Sequence, residues 1–169
     1  MFYRATFTRE DESVLVSFAD CPGCATEGDS VEEAFEAARE ALTGWLEAHL
    51  QLGNAPPQPK APSGVPVAVP AVLGLVLQLR WTLSALGLTQ AQAAKRAGVS
   101  QQQIARLEHP DANPTIEMIA RVAQGFGCAL SVEIKPQTSV QRLVVNAGRP
   151  RRTKASKARK PSVKRHAVA

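Results

Sequence analysis

The chain has 169 residues, of which 44% are hydrophobic and 5% aromatic, so it allows one medium or two small domains and excludes wholesale disorder. Residues 1–55 carry 11 acidic and 3 basic side chains, whereas residues 136–169 carry 10 basic and none acidic. This asymmetry predicts segments with different partners. Three scattered cysteines exclude a disulfide scaffold and fit a reducing cytosol. With no visible secretory leader and no apolar run of about 20 residues, we expect a cytoplasmic chain without a membrane segment.

Two segments near the N-terminus alternate between apolar and polar residues, with a polar loop at residues 9–13 between them. Alternation of this kind predicts half-buried strands at residues 2–8 and 14–18. A third short strand is predicted at residues 24–27, after the Pro22-Gly23 turn. Residues 65–69 are a candidate for one more strand of the same unit.

A helix is predicted after the third strand, because apolar residues recur at three- and four-residue steps from Val31 to Leu46. Ser30 and Glu33 have the spacing of a capping box at its start. The opposite side of the helix is acidic and carries Glu32, Glu33, Glu36, Glu40 and Glu47. Charge alone leaves open whether this acidic side is a solvated face or binds a basic partner.

Residues 53–66 are rich in proline and glycine, which predicts a semi-extended linker. Pro70 then suits the first turn of a helix over residues 71–86. That helix is apolar on nearly every side, so we expect it to be buried both by its own domain and by a neighbour or second chain.

Three short helices with clear N-terminal caps are predicted next: residues 90–97 after Thr89, 101–108 after Ser100 and 116–126 after Thr115. Gly98 and Gly127 provide C-terminal stops. Leu130, Val132 and Ile134 alternate and predict a closing strand, which could pair with its copy in a dimer or higher homo-oligomer.

The segment from Thr89 to Glu108 resembles the helix-turn-helix of the XRE/phage-repressor family. In that family the second helix reads bases and the capped start of the first contacts phosphate. Gln pairs bidentately with adenine and Arg with guanine in the major groove. The resemblance implies operator DNA as a partner, bound by Thr89, Gln90, Ser100, Gln101, Gln102, Gln103 and Arg106. The alternative is an all-α bundle with a polar surface helix.

The N-terminal unit resembles HicB, the antitoxin of HicAB toxin–antitoxin systems. The resemblance rests on the order of the elements and on two motifs. Two strands are followed by Asp20-x-Pro22-Gly23-Cys24, then by Gly28-Asp29-Ser30, and then by a helix rich in Ala and Glu. The resemblance continues to about Ile134. It implies a truncated RNase H-like antiparallel sheet, a HicA-type RNA-cleaving toxin as partner and an oligomer that represses its own operon. Toxin-binding roles then fall on Asp20, Glu32, Glu36 and Glu40.

We therefore predict an α+β chain with a toxin-binding domain at residues 1–69, a helix-turn-helix domain at 70–135 and a disordered basic tail at 136–169. The tail is either a sequence-blind phosphate binder or a solvated end. The alternative function is a free-standing transcription regulator whose N-terminal domain senses a ligand or another protein.

Enzymatic function is not expected. An RNase H-like nuclease needs clustered carboxylates on its central strands to hold divalent cations, and residues 2–8 and 14–18 contain none. Cys21-Pro-Gly-Cys24 could be a redox pair or half of a zinc site, but no second CxxC or HxxxH completes four zinc ligands. We expect no metal, no cofactor and no catalytic residue, and Cys128 as a small buried side chain.

Overall fold

The computed structural model describes residues 1–134, and the predicted basic tail lies outside them. A sheet with one helix comes first and a group of four helices follows, which confirms the predicted α+β class. The elements are β1 (Phe2–Glu10), β2 (Ser13–Phe18), β3 (Ala25–Gly28), α1 (Val31–Gln51), β4 (Val65–Ala68), α2 (Ala71–Ala85), α3 (Gln90–Ala97), α4 (Gln101–Leu107) and α5 (Ile116–Gly125).

The four strands form one antiparallel sheet in the order β3-β2-β1-β4, and α1 packs against it. We call the sheet and α1 the first unit. In the central pair Phe7 lies opposite Val16 and Ala5 opposite Phe18, so the apolar sides of β1 and β2 share one face. That face and α1 bury a common core that includes Tyr3, Ala5, Val14, Val16, Phe18, Ala34, Phe35, Ala38, Leu42 and Leu46.

The start of α1 forms where the Ser30–Glu33 spacing predicts it. The Ser30 hydroxyl accepts a hydrogen bond from the Glu33 amide at 3.1 Å. The Glu33 carboxylate turns back to the amide of Asp29 rather than to that of Ser30, at 3.0 Å. Two amides at the helix start are thereby satisfied by side chains.

The proline-rich segment 53–64 has no helix or strand, but it is held against the rest of the chain. Pro56 is fully buried, and its carbonyl accepts a hydrogen bond from Trp81 Nε1 at 2.7 Å. The next carbonyl, that of Pro57, accepts from the Tyr3 hydroxyl at 2.7 Å. The segment therefore packs on the protein as a strap, whereas its composition predicts a linker.

Helix α2 contributes to two cores. One of its faces places Leu73, Val76 and Leu77 in the core of the first unit, with Trp81 packed against that core. Another face places Leu79 and Leu83 in a second core with α3, α4 and α5, with Leu75 packed against it. The first core thus extends past residue 69, and most of the apolar surface of α2 is covered within one chain. Within residues 1–134 no single helix is long and apolar enough to cross a bilayer. Helices α2 and α3 have the required length and composition only when taken together, and their axes are bent by 103°.

Helices α3, α4 and α5 form the second unit around Ala93, Ala94, Ile104, Leu107, Val122 and Phe126. Gly98 makes the turn between α3 and α4 at φ 66°, a left-handed conformation that glycine adopts without a steric penalty. Gly125 brings α5 against α3, because a Cβ there would overlap the backbone of Ala97. These two glycines set how α3 lies against α4 and α5.

Two expectations near residue 130 are wrong. The predicted closing strand does not form: residues 128–134 have no regular structure, and Val132 and Ile134 are 67% and 96% exposed. Alternation alone does not make a strand, which needs a hydrogen-bonded neighbour. Cys128 is exposed rather than buried, because it follows the stop at Gly127, where the chain leaves the core.

Candidate nucleic-acid and protein interfaces

The exposed side of α4 presents the polar residues that the helix-turn-helix pattern predicts. Ser100 caps the helix, and Gln101, Gln102 and Arg106 are exposed along it, while Ile104 and Leu107 are buried on the other side. Gln90 at the start of α3 lines the same shallow depression as Ser100, Gln101, Gln102 and Ala105. We call Gln90, Gln101, Gln102 and Arg106 the reading face, since amide and guanidinium groups on a protruding helix are suited to base edges and phosphates.

Other predicted DNA-contacting side chains are engaged in helix caps. Gln103 Oε1 accepts from the Ser100 amide at 2.8 Å, and the Ser100 hydroxyl accepts from the Gln103 amide at 3.1 Å. Thr89 makes the equivalent pair with Gln92 at the start of α3. Because the carbonyl end of Gln103 is committed to its cap, Gln101 and Gln102 are better placed to contact bases.

Behind the reading face lies a buried charge pair that the sequence pattern does not reveal. Glu108, the residue that caps the C-terminal end of α4, is 6% exposed. Its Oε2 accepts from Gln90 Nε2 at 2.7 Å, and its Oε1 lies 3.1 Å from Arg80 Nε of α2. Arg80 also donates through Nη1 to the Gly53 carbonyl at 2.7 Å. The contacts span 18 to 28 residues in sequence, so no local spacing points to them.

The exposed side of α1 carries the predicted acidic residues. Glu32, Glu36 and Glu40 are all exposed, and we call them the acidic face. Arg39 pairs with Glu36 at 2.7 Å but is itself half exposed, so it reduces the negative charge of the face without covering it. An open groove runs beside this face toward residues 68–71 and is lined by Glu36, Glu40, Glu47 and Thr43 among others.

Asp20 anchors the strap. Its Oδ2 accepts hydrogen bonds from the amides of Lys60 and Ala61, at 3.0 and 2.9 Å. The structure therefore gives Asp20 a role in holding residues 60 and 61. Its predicted contact with a toxin stays a prediction.

The thiols of Cys21 and Cys24 are buried in the first core. Burial raises the pKa of the Cys21 thiol to about 12, with contributions from the nearby Cys24 and Asp20, and burial also raises the pKa of Cys24. Raised thiol pKa values disfavour the reactive thiolate. Residues 1–134 contain no group of three or more His, Cys, Asp or Glu side chains placed to hold a metal ion.

Comparison with known proteins identifies both units. Residues 3–76 match the family described as HicB_like antitoxin of bacterial toxin-antitoxin system, and residues 79–132 match the helix-turn-helix family. Antitoxin HicB 1 of Photorhabdus laumondii is 33% identical over 127 residues, which cover 75% of this chain and 81% of the relative. Antitoxin HicB of Escherichia coli K12 is 32% identical over 136 residues, 78% of this chain and 98% of the relative.

The chain is thus an antitoxin of a bacterial toxin–antitoxin system whose second unit is a helix-turn-helix DNA-binding domain. It belongs to the HicB antitoxin family. The two matched segments meet at residues 76–79, within α2, the helix that contributes to both cores.

Proposed function

We propose that the protein neutralises a HicA-type RNA-cleaving toxin through its first unit and represses its own operon through its second. The observation that carries the proposal is the presence of two separate surfaces on one chain, one negatively charged and one made of amide and guanidinium side chains. The acidic face lies on α1, and the reading face lies on α3 and α4. Each suits a different charged partner.

The acidic face supports the toxin-binding half of this proposal. Residues 1–55 have 11 acidic against 3 basic side chains, and three of the carboxylates stand exposed along one side of α1. A toxin that binds RNA must present positive charge, and complementary charge speeds association and orients the partners. An antitoxin on that surface covers the groups that hold the RNA.

The reading face supports the operator-binding half. Gln101 and Gln102 occupy the first turn of α4, and Arg106 follows one turn later on the exposed side. In a helix-turn-helix docked in the major groove, these positions are near base edges, and the start of α3 is near the phosphate backbone. Gln90 at that start is already oriented by Glu108.

We further propose that the operator is bound by a dimer. The sequence predicts a dimer from an α2 that is apolar on nearly every side and from a closing strand that pairs with its copy. In the structure the chain itself covers much of α2. The remaining support is apolar surface on the second unit, where Ile116, Val132 and Ile134 are all more than 60% exposed. A two-fold pair would place two reading faces about 34 Å apart, one turn of DNA.

Growth rescue tests the first half of the proposal. The product of the neighbouring reading frame is expressed alone and together with the full chain. We expect growth to stop when the neighbouring-gene product is expressed alone and to recover when the full chain is expressed with it. Persistent arrest despite soluble antitoxin would contradict toxin neutralisation.

A binding titration tests the second half. A duplex covering the promoter upstream of the gene is compared with a scrambled duplex of equal length, and we expect tighter binding to the promoter by at least about 10³-fold. Equal affinity for both duplexes would contradict autorepression.

A further inference from the structure

The Arg80–Glu108 pair lies where the two units meet, and few atoms of either side chain reach solvent. The Arg80 side chain is 17% exposed and that of Glu108 is 7% exposed. Charges with so little access to water persist only when other groups compensate them. The partners of the pair therefore indicate what it holds in place.

Glu108 holds the reading face from behind. One carboxylate oxygen accepts from Gln90 Nε2 at 2.7 Å, and the other lies 3.1 Å from Arg80 Nε. Glu108 itself follows the last turn of α4. A shift of this carboxylate would move the side chain at the start of α3 relative to the recognition residues of α4.

Arg80 reaches in the other direction, to the end of α1. Its Nη1 donates to the Gly53 carbonyl at 2.7 Å, one residue beyond the helix cap at Leu52. Gly53 is in turn tied to α1, because its amide donates to the Leu50 carbonyl at 3.0 Å. The same guanidinium reaches Glu108 in another direction: Nη2 donates to the Glu108 carbonyl at 3.4 Å, and Nε lies beside the carboxylate as a charge contact without a hydrogen bond.

We propose that Arg80 and Glu108 are positioning residues that couple occupancy of the acidic face on α1 to the arrangement of the reading face. The inference rests on the proposed function, because it takes a basic protein on α1 and DNA on α4 as the two ligands. A displacement of the end of α1 reaches Gln90 through a chain of three polar contacts: Gly53 to Arg80, Arg80 to Glu108 and Glu108 to Gln90. By linkage, each ligand changes the affinity of the other by the same factor.

The test is a coupling measurement on the full chain. Affinity for the promoter duplex is measured with and without a saturating amount of the purified neighbouring-gene product, for wild type, Arg80→Lys and Arg121→Lys. Lysine keeps a charge for Glu108, but its one nitrogen cannot stand beside both Glu108 Oε1 and the Gly53 carbonyl. Arg121 is exposed on α5 and serves as the matched control.

We expect wild type and Arg121→Lys to show a coupling factor within the usual range of about 5–150. Without toxin, Arg80→Lys should bind the promoter duplex nearly as well as wild type. Its coupling factor, the change in that affinity when toxin is added, should be close to one. Glu108→Gln, which keeps an oxygen for Gln90 but removes the charge, should also lower the factor. Circular dichroism and thermal melts on the same samples report whether each variant is folded.

A folded Arg80→Lys chain with the wild-type factor would overturn the inference. So would a wild-type chain that binds both partners without coupling, a result that leaves the proposed function intact. Arg80→Lys that melts early and loses DNA binding would make the pair a brace of the second unit alone, which also overturns it. Failure of wild type to bind either partner counts against the proposed function instead.

Discussion

Trp81 on α2 donates its indole hydrogen to the carbonyl oxygen of Pro56 at 2.7 Å. The following carbonyl, that of Pro57, accepts from Tyr3 on β1, so two consecutive peptide units are held by different parts of the fold. Together with Asp20, which accepts from the amides of Lys60 and Ala61, these contacts hold the strap at residues 56, 57, 60 and 61. The first unit and α2 are thereby joined through a segment whose composition predicts a semi-extended linker.

A fragment of residues 1–69 should lose cooperative folding. It lacks Leu73, Val76 and Leu77, whose burial contributes about 1.5–3 kcal/mol each, and it also lacks the Trp81 hydrogen bond. The sum is comparable with the whole stability of a small domain. Residues 1–86, which include all of α2, should keep a cooperative urea transition. A sharp transition in the shorter fragment would show that the first unit is self-contained.

Several features of the fold follow from short-range patterns. The caps at Ser30, Thr89, Ser100 and Thr115 form as predicted, because a Ser or Thr side chain satisfies amides only two or three residues away. The acidic face and the reading face were also predictable, since helical periodicity alone determines which residues share a side.

Long-range contacts were not predictable in the same way. The Tyr3–Pro57 and Arg80–Glu108 contacts join residues 54 and 28 positions apart. A buried Glu at a helix end has the same local sequence signal as an exposed one. The closing strand failed for a related reason, because alternation at residues 130–134 does not specify a neighbouring strand.

Gln102→Ala should weaken promoter binding by about 1–3 kcal/mol and leave binding to scrambled DNA nearly unchanged. The side chain is exposed in the first turn of α4 and takes part in no cap. Gln124→Ala on the exposed side of α5 is the matched control. Titrations of both variants on both duplexes check this, and an equal loss on both would mean that Gln102 contacts the backbone rather than bases.

Reversal of Glu32, Glu36 and Glu40 to Lys should slow association with the neighbouring-gene product and make its rate less sensitive to salt. These carboxylates are exposed on α1, so the fold should tolerate the change. A control with the same charge change reverses Glu10, Glu12 and Glu27, which are exposed in and beside the strands. Stopped-flow rates at several salt concentrations separate the two. Equal slowing in both variants would mean that net charge, rather than this surface, steers the encounter.

Thiol labelling should detect one fast cysteine out of three. Cys128 is exposed, whereas Cys21 and Cys24 are buried with raised pKa values. A chromogenic disulfide reagent should therefore consume one equivalent quickly in the native protein and three in urea. Cys128→Ser should remove the fast phase. Rapid labelling of two or three native thiols would show that the first core opens readily.

Stability should fall in alkali. The pKa of Cys21 rises from its ordinary value of 9.0 to about 12 on burial, and burial raises those of Cys24 and Tyr3 as well. Above about pH 9 the unfolded chain loses protons that the native chain keeps, so the contribution is complete below that pH and is lost as the pH rises toward 12. The urea midpoint should therefore fall between pH 8 and about pH 10.5, and it should fall less for Cys21→Ala than for wild type. Identical falls would assign the effect to other groups.

The seam between the two units lies inside α2 rather than in a loop, since Leu77 and Leu79 belong to different cores. If recombination at the proline-rich strap joined this first unit to the second unit of a relative, α2 would come from the relative. The side chains at the positions of Leu73, Val76 and Leu77 would then have to fit the core of an unmatched first unit. Exchange of a DNA-binding unit between relatives therefore requires a matched helix as well as a matched domain. This constraint favours inheritance of the first unit and the helix-turn-helix unit as one block.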